Sequence, residues 1–320
     1  MRRVACMAAA QMALGSRMPQ ENTDKVNDAS RLANGRLSVE IIDPNAESDR
    51  LGPRFEWCGM VSQVTLDGAH TFCRRAGGAA IAEGVGLAEE TGMLDPLGYG
   101  EAAAGEEFVK IGIGVLRKHE NQPYGFWKPY PVLRAPAFEV TRGRSEATHS
   151  QAVSGPRGWA YEYVKRIVLA DDQPVLAITH ELRNTGARTI KTSQYNHNFL
   201  ILDCRLIGPE YRMRLKFRPA SKDKTGDRVE LEDSTLGYPR PFEGKPLFMQ
   251  IEGFSTLADN SITVESTATG TGVRIEGDFP LERLHFFTTR DMICPEPFVR
   301  LQVEPGQVQR WTRTYAFFAR

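Results

Sequence analysis

One stretch decides the fold, Thr192-Ser193-Gln194-Tyr195-Asn196-His197-Asn198-Phe199-Leu200-Ile201-Leu202-Asp203. It ends in an apolar run typical of a buried strand, yet it carries several amide and imidazole side chains. Because neighbouring side chains of a strand point to opposite faces, it has two different faces. One face carries Tyr195, His197 and Phe199, and the other carries Gln194, Asn196 and Asn198. A histidine between two aromatic rings is suited to proton transfer at the bottom of a cleft. The alternative is a core histidine whose ring nitrogens bind neighbouring amides.

A second candidate for proton transfer is a carboxylate between two prolines, in Cys294-Pro295-Glu296-Pro297. Proline fixes its own φ, and Pro297 favours an extended conformation at Glu296. The pattern predicts a glutamate held stiffly at a strand end, where it could act as a general base. The alternative is a solvated turn residue.

Short strand-like runs separated by Gly, Pro and Asp turns fill the chain from Gly35 onward, which predicts an all-β antiparallel sandwich in one domain, residues 35–320. The clearest runs are 37–41, 55–66, 108–118, 158–168, 175–184, 188–202, 212–217, 248–254, 262–265, 272–276, 284–289 and 311–318. Residues 76–106 are rich in glycine and lack periodicity, so we predict a long loop at the rim of a cleft. Glu89 and Glu90 lie in this loop, where we predict a solvated acidic pair, with a contact to the substrate as the alternative. His180 and His285 alternate with apolar neighbours and are predicted to be structural.

Residues 1–34 are predicted to be an N-terminal tail or a weak secretory signal. A basic start, Met1-Arg2-Arg3, precedes an alanine-rich run that is only weakly apolar. A short helix is predicted near Ala13 to Leu32. Localisation stays open between the cytoplasm and, if the segment is a signal, the periplasm or secretion.

Composition argues against several classes of partner. The chain has 40 Lys plus Arg and 40 Asp plus Glu among 320 residues, so no net field attracts nucleic acid or an anionic membrane. No apolar run approaches the roughly 20 residues that cross a bilayer. The five cysteines lack metal-site spacing, and we expect free thiols, with a Cys58–Cys73 bridge as the alternative. We expect no metal or organic cofactor.

Several residues have side chains suited to binding a small polar ligand. Lys110 and Arg117 flank a glycine-containing strand pattern that would let a ligand approach the backbone. Trp57, Tyr124 and Trp127 carry rings that could stack on the apolar face of a ligand, although core packing is the common role of such rings.

The combination of these motifs resembles the aldose 1-epimerase (galactose mutarotase-like) superfamily, over about Arg36 to Phe318. The matching segments are Asn196-His197-Asn198-Phe199, Cys294-Pro295-Glu296-Pro297 and the Pro-Gly-x-x-x-x-Trp-x-x-x-Tyr segment from Pro305 to Tyr315. The resemblance implies a galactose-mutarotase β-supersandwich. It also implies an acid at His197 and a base at Glu296, with Asn196 as a substrate contact.

The resulting hypothesis is an enzyme that interconverts the anomers of a sugar by general acid and base catalysis. Its substrate would be a monosaccharide or small oligosaccharide, and an acidic sugar would suit Lys110 and Arg117. Two alternatives stay open: a carbohydrate lyase or hydrolase on the same fold, and a non-catalytic carbohydrate-binding protein. The oligomeric state is not predicted.

Overall fold

The computed structural model describes residues 31–74 and 80–320, and the regular structure there is β-strand with short 3₁₀ turns. The tail or signal predicted in residues 1–34, and the helix predicted near Ala13 to Leu32, lie almost wholly outside the described residues. Their described end is a strand, Arg31–Ala33, which pairs with Leu37–Ile41. The sheet therefore begins before Gly35. No helix of the described residues is long and apolar enough to span a membrane.

The first large sheet of the described chain has nine antiparallel strands. In spatial order they are β1 (Arg31–Ala33), β2 (Leu37–Ile41), β3 (Val61–Leu66), β5 (Leu87–Thr91), β13 (Ile190–Asn198), β21 (Met292–Val303), β20 (Arg283–Thr289) and β17 (Leu247–Ile251), with β4 (His70–Thr71) paired to β3.

The second large sheet of the described chain has ten antiparallel strands. In spatial order they are β15 (Glu230–Glu232), β16 (Thr235–Gly237), β14 (Tyr211–Leu215), β18 (Ser261–Ser266), β19 (Thr271–Gly277), β22 (Val308–Ala319), β12 (Val175–Asn184), β11 (Ala160–Leu169), β10 (Glu146–Ser154) and β9 (Glu139–Arg142). A small third sheet contains β6 (Glu107–Lys110), β7 (Gly114–Arg117) and β8 (Val132–Arg134).

The two large sheets enclose the main core. Alternate residues of β11 and β12 are buried, as strand periodicity requires when one face of a sheet is covered. Residues of both sheets, such as Leu66, Ile178 and Val264, belong to one continuous apolar cluster. The all-β antiparallel sandwich predicted from the sequence is therefore confirmed.

The run 188–202, predicted as a strand, contains β13, a central strand of the first sheet. Its neighbour β5 falls inside the predicted loop 76–106, so that prediction is wrong at this point. All five residues of β5 are buried, and such a strand has no polar alternation to reveal it.

The prolines of the Cys-Pro-Glu-Pro segment lie inside β21, where the sequence predicts a strand end or turn. Proline cannot donate a backbone hydrogen bond to a neighbouring strand. The pairing of β21 with β20 nevertheless continues through Pro295 and Pro297, whereas its pairing with β13 stops at Phe298. The hydrogen-bonded pairing of β21 with β13 therefore ends next to the prolines. Strand β21 itself stays continuous, because its pairing with β20 extends past them.

Candidate active site

Three neighbouring strands bring an acid–base group together on the outer face of the first sheet. His285 of β20 lies directly opposite Glu296 of β21. Extending the register of β21 with β13 by two residues places His197 beside the same glutamate. His197 Nε2 lies 3.0 Å from Glu296 Oε1, and His285 Nδ1 lies 3.9 Å from Glu296 Oε2. The predicted acid and base, distant in sequence, are thus adjacent side chains.

Aromatic rings enclose this group. His197 and Glu296 are each only 4% exposed. The ring of Phe199 stacks on His197 with centroids 3.9 Å apart, and Phe55 and Phe287 approach edge-on at 5.8 Å. Such a low-dielectric wall strengthens the interaction between the imidazole and the carboxylate.

A second row of side chains lies beside the first on the same face. Arg283, Phe298, Tyr195 and Glu90 are successive partners across β20, β21, β13 and β5. Each lies two residues along its strand from the first row, a spacing of about 6.8 Å. Phe298 stacks on Tyr195 at 4.6 Å, and the guanidinium of Arg283 lies 4.6 Å from the centre of the Phe298 ring.

Glu90 binds three donors at one end of this second row. It accepts hydrogen bonds from Lys110 Nζ at 2.7 Å, Tyr195 Oη at 2.8 Å and Arg54 Nε at 3.1 Å. Burial lowers the pKa of Lys110, although the charge of Glu90 opposes the shift. Burial has the opposite effect on the Tyr195 hydroxyl: it raises the pKa, and the negative charge of Glu90 raises it further. The predicted substrate contact Lys110 therefore lies next to the site, but its ammonium is already bound by Glu90.

Aromatic side chains of residues 124–127 lie beside this cluster. Tyr124 Oη accepts a hydrogen bond from Lys110 Nζ at 2.8 Å, and its ring stacks on Tyr130. The ring of Phe126 covers the guanidinium of Arg54 at 4.4 Å. Trp127 contacts Phe126 edge-on and is 71% exposed. Tyr124 thus belongs to the wall of the site, while Trp127 lies at its solvent side.

The side chains of three predicted substrate contacts lie apart from those of His197 and Glu296 in the structure. Asn196 points away from His197 into the sandwich, where it donates to Glu89 Oε1 at 2.7 Å, because alternate residues of a strand face opposite ways. Trp57 is buried in the core, with its indole N–H bound to Gly52 O at 2.8 Å. Arg117 is exposed on β7 opposite Glu107, because residues 111–113 form a turn rather than one continuous strand with Lys110. All three have structural or surface positions.

The polar face of β13 belongs to a buried network between the two sheets. Glu89 forms ion pairs with Lys165 and with His180 Nε2, the latter at 3.1 Å. Burial opposes the charge of Glu89, but His180 and Lys165 together hold its pKa well below the usual value. This network fixes β5 and β13 against the second sheet, and so positions the outer-face residues of the same strands.

Another part of this network surrounds a second buried carboxylate, Glu56. Burial raises the pKa of Glu56, and the nearby charge of Glu89 adds to the shift. Glu56 accepts hydrogen bonds from Tyr163 Oη and Gln194 Nε2, both at 2.9 Å. Gln194 in turn accepts the indole N–H of Trp311 at 2.7 Å. The amides of β13 therefore form hydrogen bonds with groups between the two sheets.

Sequence reasoning alone misses several residues of the outer face. His285 alternates with apolar residues, a pattern shared by core histidines, and only its pairing with β21 reveals its place beside Glu296. Arg283 shares its face two residues away. Glu90 is hidden in the unrecognised strand β5. Arg54 directly precedes the predicted run 55–66, of which only Val61–Leu66 is strand, so neither residue lies within a correctly predicted strand.

Among residues 31–74 and 80–320, no group of three or more His, Cys, Asp or Glu side chains is arranged to hold a metal ion. Cys58, Cys204 and Cys294 are free thiols, so the alternative of a Cys58–Cys73 bridge is wrong.

Solved structures with the same architecture cover nearly the whole chain. A GalM/aldose epimerase homologue from C. elegans superposes with a TM-score of 0.57 at 11% identity, covering 90% of this chain and 98% of that protein. A candidate aldose 1-epimerase from Escherichia coli K12 gives 0.55 at 12% identity, covering 91% and 98%. A galactose mutarotase-like protein from Lactobacillus casei gives 0.54 at 10% identity, covering 90% and 99%.

The sequence itself gives no such match. No protein-family model matches it, and neither does any curated protein. At these identities the structural likeness concerns the fold, and it agrees with the resemblance that the sequence motifs indicate. The chain therefore has the galactose mutarotase-like β-sandwich fold.

Proposed function

We propose that this protein is an aldose 1-epimerase-like enzyme that interconverts the anomers of a sugar. One observation carries the proposal: His197 Nε2 and Glu296 Oε1 lie 3.0 Å apart on the outer face of the sheet, in an aromatic enclosure. An imidazole and a carboxylate at this separation can exchange protons with two neighbouring oxygens of one substrate. In a cyclic aldose those oxygens are the C1 hydroxyl and the ring oxygen.

The reaction needs two proton transfers and no net change of protonation. Glu296 takes the proton of the C1 hydroxyl while His197 gives its Nε2 proton to the ring oxygen, so the bond from C1 to the ring oxygen breaks and C1 becomes an aldehyde. Rotation about the C1–C2 bond exposes the other face of the aldehyde. The two protons then return, and the ring closes as the other anomer.

The sugar must separate the two catalytic side chains, because they now bind each other. With C1 and the ring oxygen over His197 and Glu296, the rest of the pyranose would extend over the second row. There the stacked rings of Phe298 and Tyr195 are buried, and the partly exposed side chains of Arg283 and Arg54 lie at the two ends of the row, where a sugar would meet them. These arginines suit hydroxyl or carboxylate oxygens, so a monosaccharide or small oligosaccharide, including an acidic one, fits the proposal.

Polarimetry of freshly dissolved aldoses and uronic acids tests this function. We expect the wild-type protein to speed the optical change of at least one sugar, and His197→Asn to lower that acceleration by about 10²–10⁴-fold. A protein that binds a sugar of the panel but accelerates none would contradict catalysis.

The second candidate is a non-catalytic carbohydrate-binding protein. The closed contact between His197 and Glu296 favours it, since each residue is 4% exposed and His197 Nε2 already lies against Glu296 Oε1. A binding protein would retain its affinity for the sugar when His197 is replaced by Asn, with no reaction to lose.

A further inference from the structure

Glu296 lies between two histidines, but only one of them is within hydrogen-bonding distance. Its Oε1 atom meets His197 Nε2 at 3.0 Å, whereas its Oε2 atom lies 3.9 Å from His285 Nδ1. A hydrogen bond to a carboxylate requires about 3 Å. The carboxylate therefore has one partner in the sugar-free protein and a second one just out of reach.

The ring of His285 is packed between two aromatic rings, but its Nδ1 atom makes no hydrogen bond within the described part of the chain. His285 is 8% exposed, and the centre of its ring lies 4.6 Å from that of Phe298 and 5.0 Å from that of Phe248. Its Nδ1 atom is buried and has no hydrogen-bond partner among the described residues. Because a buried polar atom without a partner is costly, a nitrogen left unpaired beside a carboxylate calls for an explanation.

We propose that His285 is a positioning residue for Glu296, which it binds when a sugar enters. The inference rests on the proposed anomerase function. An entering sugar takes Nε2 of His197 for its ring oxygen, so Glu296 loses its present partner. A small rotation of the carboxylate then brings Oε2 to Nδ1–H of His285, while Oε1 is left facing the C1 hydroxyl.

Burial and the surrounding charges favour a neutral His285 ring, which can still donate a hydrogen bond from Nδ1. Glu296, Arg283 and Asp223 are the charged groups that act on it. Burial lowers the pKa of His285, and although Glu296 and Asp223 oppose the shift, Arg283 adds to it. A neutral imidazole can donate from Nδ1 without taking part in the proton transfer, so His285 orients the base and leaves its charge unchanged.

Two substitutions separate this role from simple packing. His285→Asn keeps an N–H near the position of Nδ1, whereas His285→Leu fills similar space without a donor. We expect His285→Leu to lower kcat for anomerisation about ten- to hundred-fold with KM nearly unchanged, the loss typical of one hydrogen bond to a charged group. His285→Asn should recover most of that activity. Urea unfolding of both variants provides the stability control.

The outcomes distinguish this inference from the proposed function. If the wild type is active and both variants match it, or if both lose activity equally, the positioning role is overturned. If the wild type accelerates no sugar, the proposed function fails, and ¹⁵N NMR of the histidine rings tests the contact separately, without a sugar. His197→Leu takes away the present partner of Glu296, so it should shift the Nδ1 resonance of His285, and adding Glu296→Gln to it should reverse that shift. A His285 resonance that is the same in wild type and His197→Leu would overturn the contact.

Discussion

The ion pair between Lys165 and Glu89 makes the stability of the sandwich depend on one buried ammonium. Lys165 is 1% exposed, and it also donates to Cys58 O at 2.8 Å. Burial opposes its charge, but Glu89 and Glu56 outweigh that effect and raise its pKa. Replacing Lys165 by Met leaves two carboxylates in the interior without this cation. Breaking a buried pair from one side typically costs about 3–5 kcal/mol of unfolding free energy.

The directions of the pKa shifts of Lys165 and Glu89 decide at which pH the unfolding experiment should be done. Because the pKa of Lys165 is raised on folding, its contribution is complete below its unfolded value of 10.5 and is lost only as pH rises through the higher folded value. The pKa of Glu89 is lowered, so its contribution is complete above its unfolded value of 4.5. Both contributions are therefore present at pH 7.

Equilibrium urea unfolding at pH 7 measures the effect against a matched control. Lys222 pairs with Glu252 at 3.1 Å on the surface, where its side chain is 86% exposed. We expect Lys222→Met to change the unfolding free energy by less than about 1 kcal/mol. Equal losses in Lys165→Met and Lys222→Met would refute the view that one buried cation supports the network.

Two further predictions concern a pair of tryptophans and a buried histidine. Trp57→Ala should cost about 3–5 kcal/mol of unfolding free energy, because the indole lies in the core, whereas Trp127→Ala should change it by about 0.5 kcal/mol or less. Similar losses in urea unfolding would contradict the positions of these rings. His149 is buried near Lys165 and Arg142, and burial with these charges lowers its pKa to about 3. Between its unfolded value of 6.5 and about pH 3, the unfolded chain therefore binds more protons, so stability falls as pH falls. From pH 7 to 4.5 the wild type should lose about 2.5 kcal/mol more than His149→Leu, and parallel pH profiles would contradict this.

The sequence predicts the fold well where one face of a strand meets the core. The runs 158–168 and 175–184 alternate clearly, and they correspond to β11 and β12. Strand β5 escapes prediction because it is buried on both faces and surrounded by glycines. Polar and apolar residues alternate along a strand when one face is buried and the other is exposed. A strand whose two faces are both buried does not show this alternation.

The site is predicted only in part, because local sequence patterns do not show which strands lie next to each other in the sheet. Tyr195, His197 and Phe199 do share a face, and Glu296 is held in an extended strand. The contact with His285 depends on β20 pairing with β21, which no periodicity reveals. Residue type is also a poor guide to exposure: Trp57 and Trp127 look alike as sugar platforms, yet one is in the core and the other is exposed.

The most direct test of the central claim is anomeric exchange measured by NMR magnetisation transfer, in wild type, Glu296→Gln and Glu282→Gln. Glu282 is a matched control, since it directly precedes β20 and lies 3.6 Å from Arg283, but it makes no contact with His197 or Glu296 among the described residues. We predict exchange between the α and β signals of a sugar with wild type and Glu282→Gln, and a loss of about 10²-fold or more in Glu296→Gln. Equal exchange rates in wild type and Glu296→Gln would contradict the account.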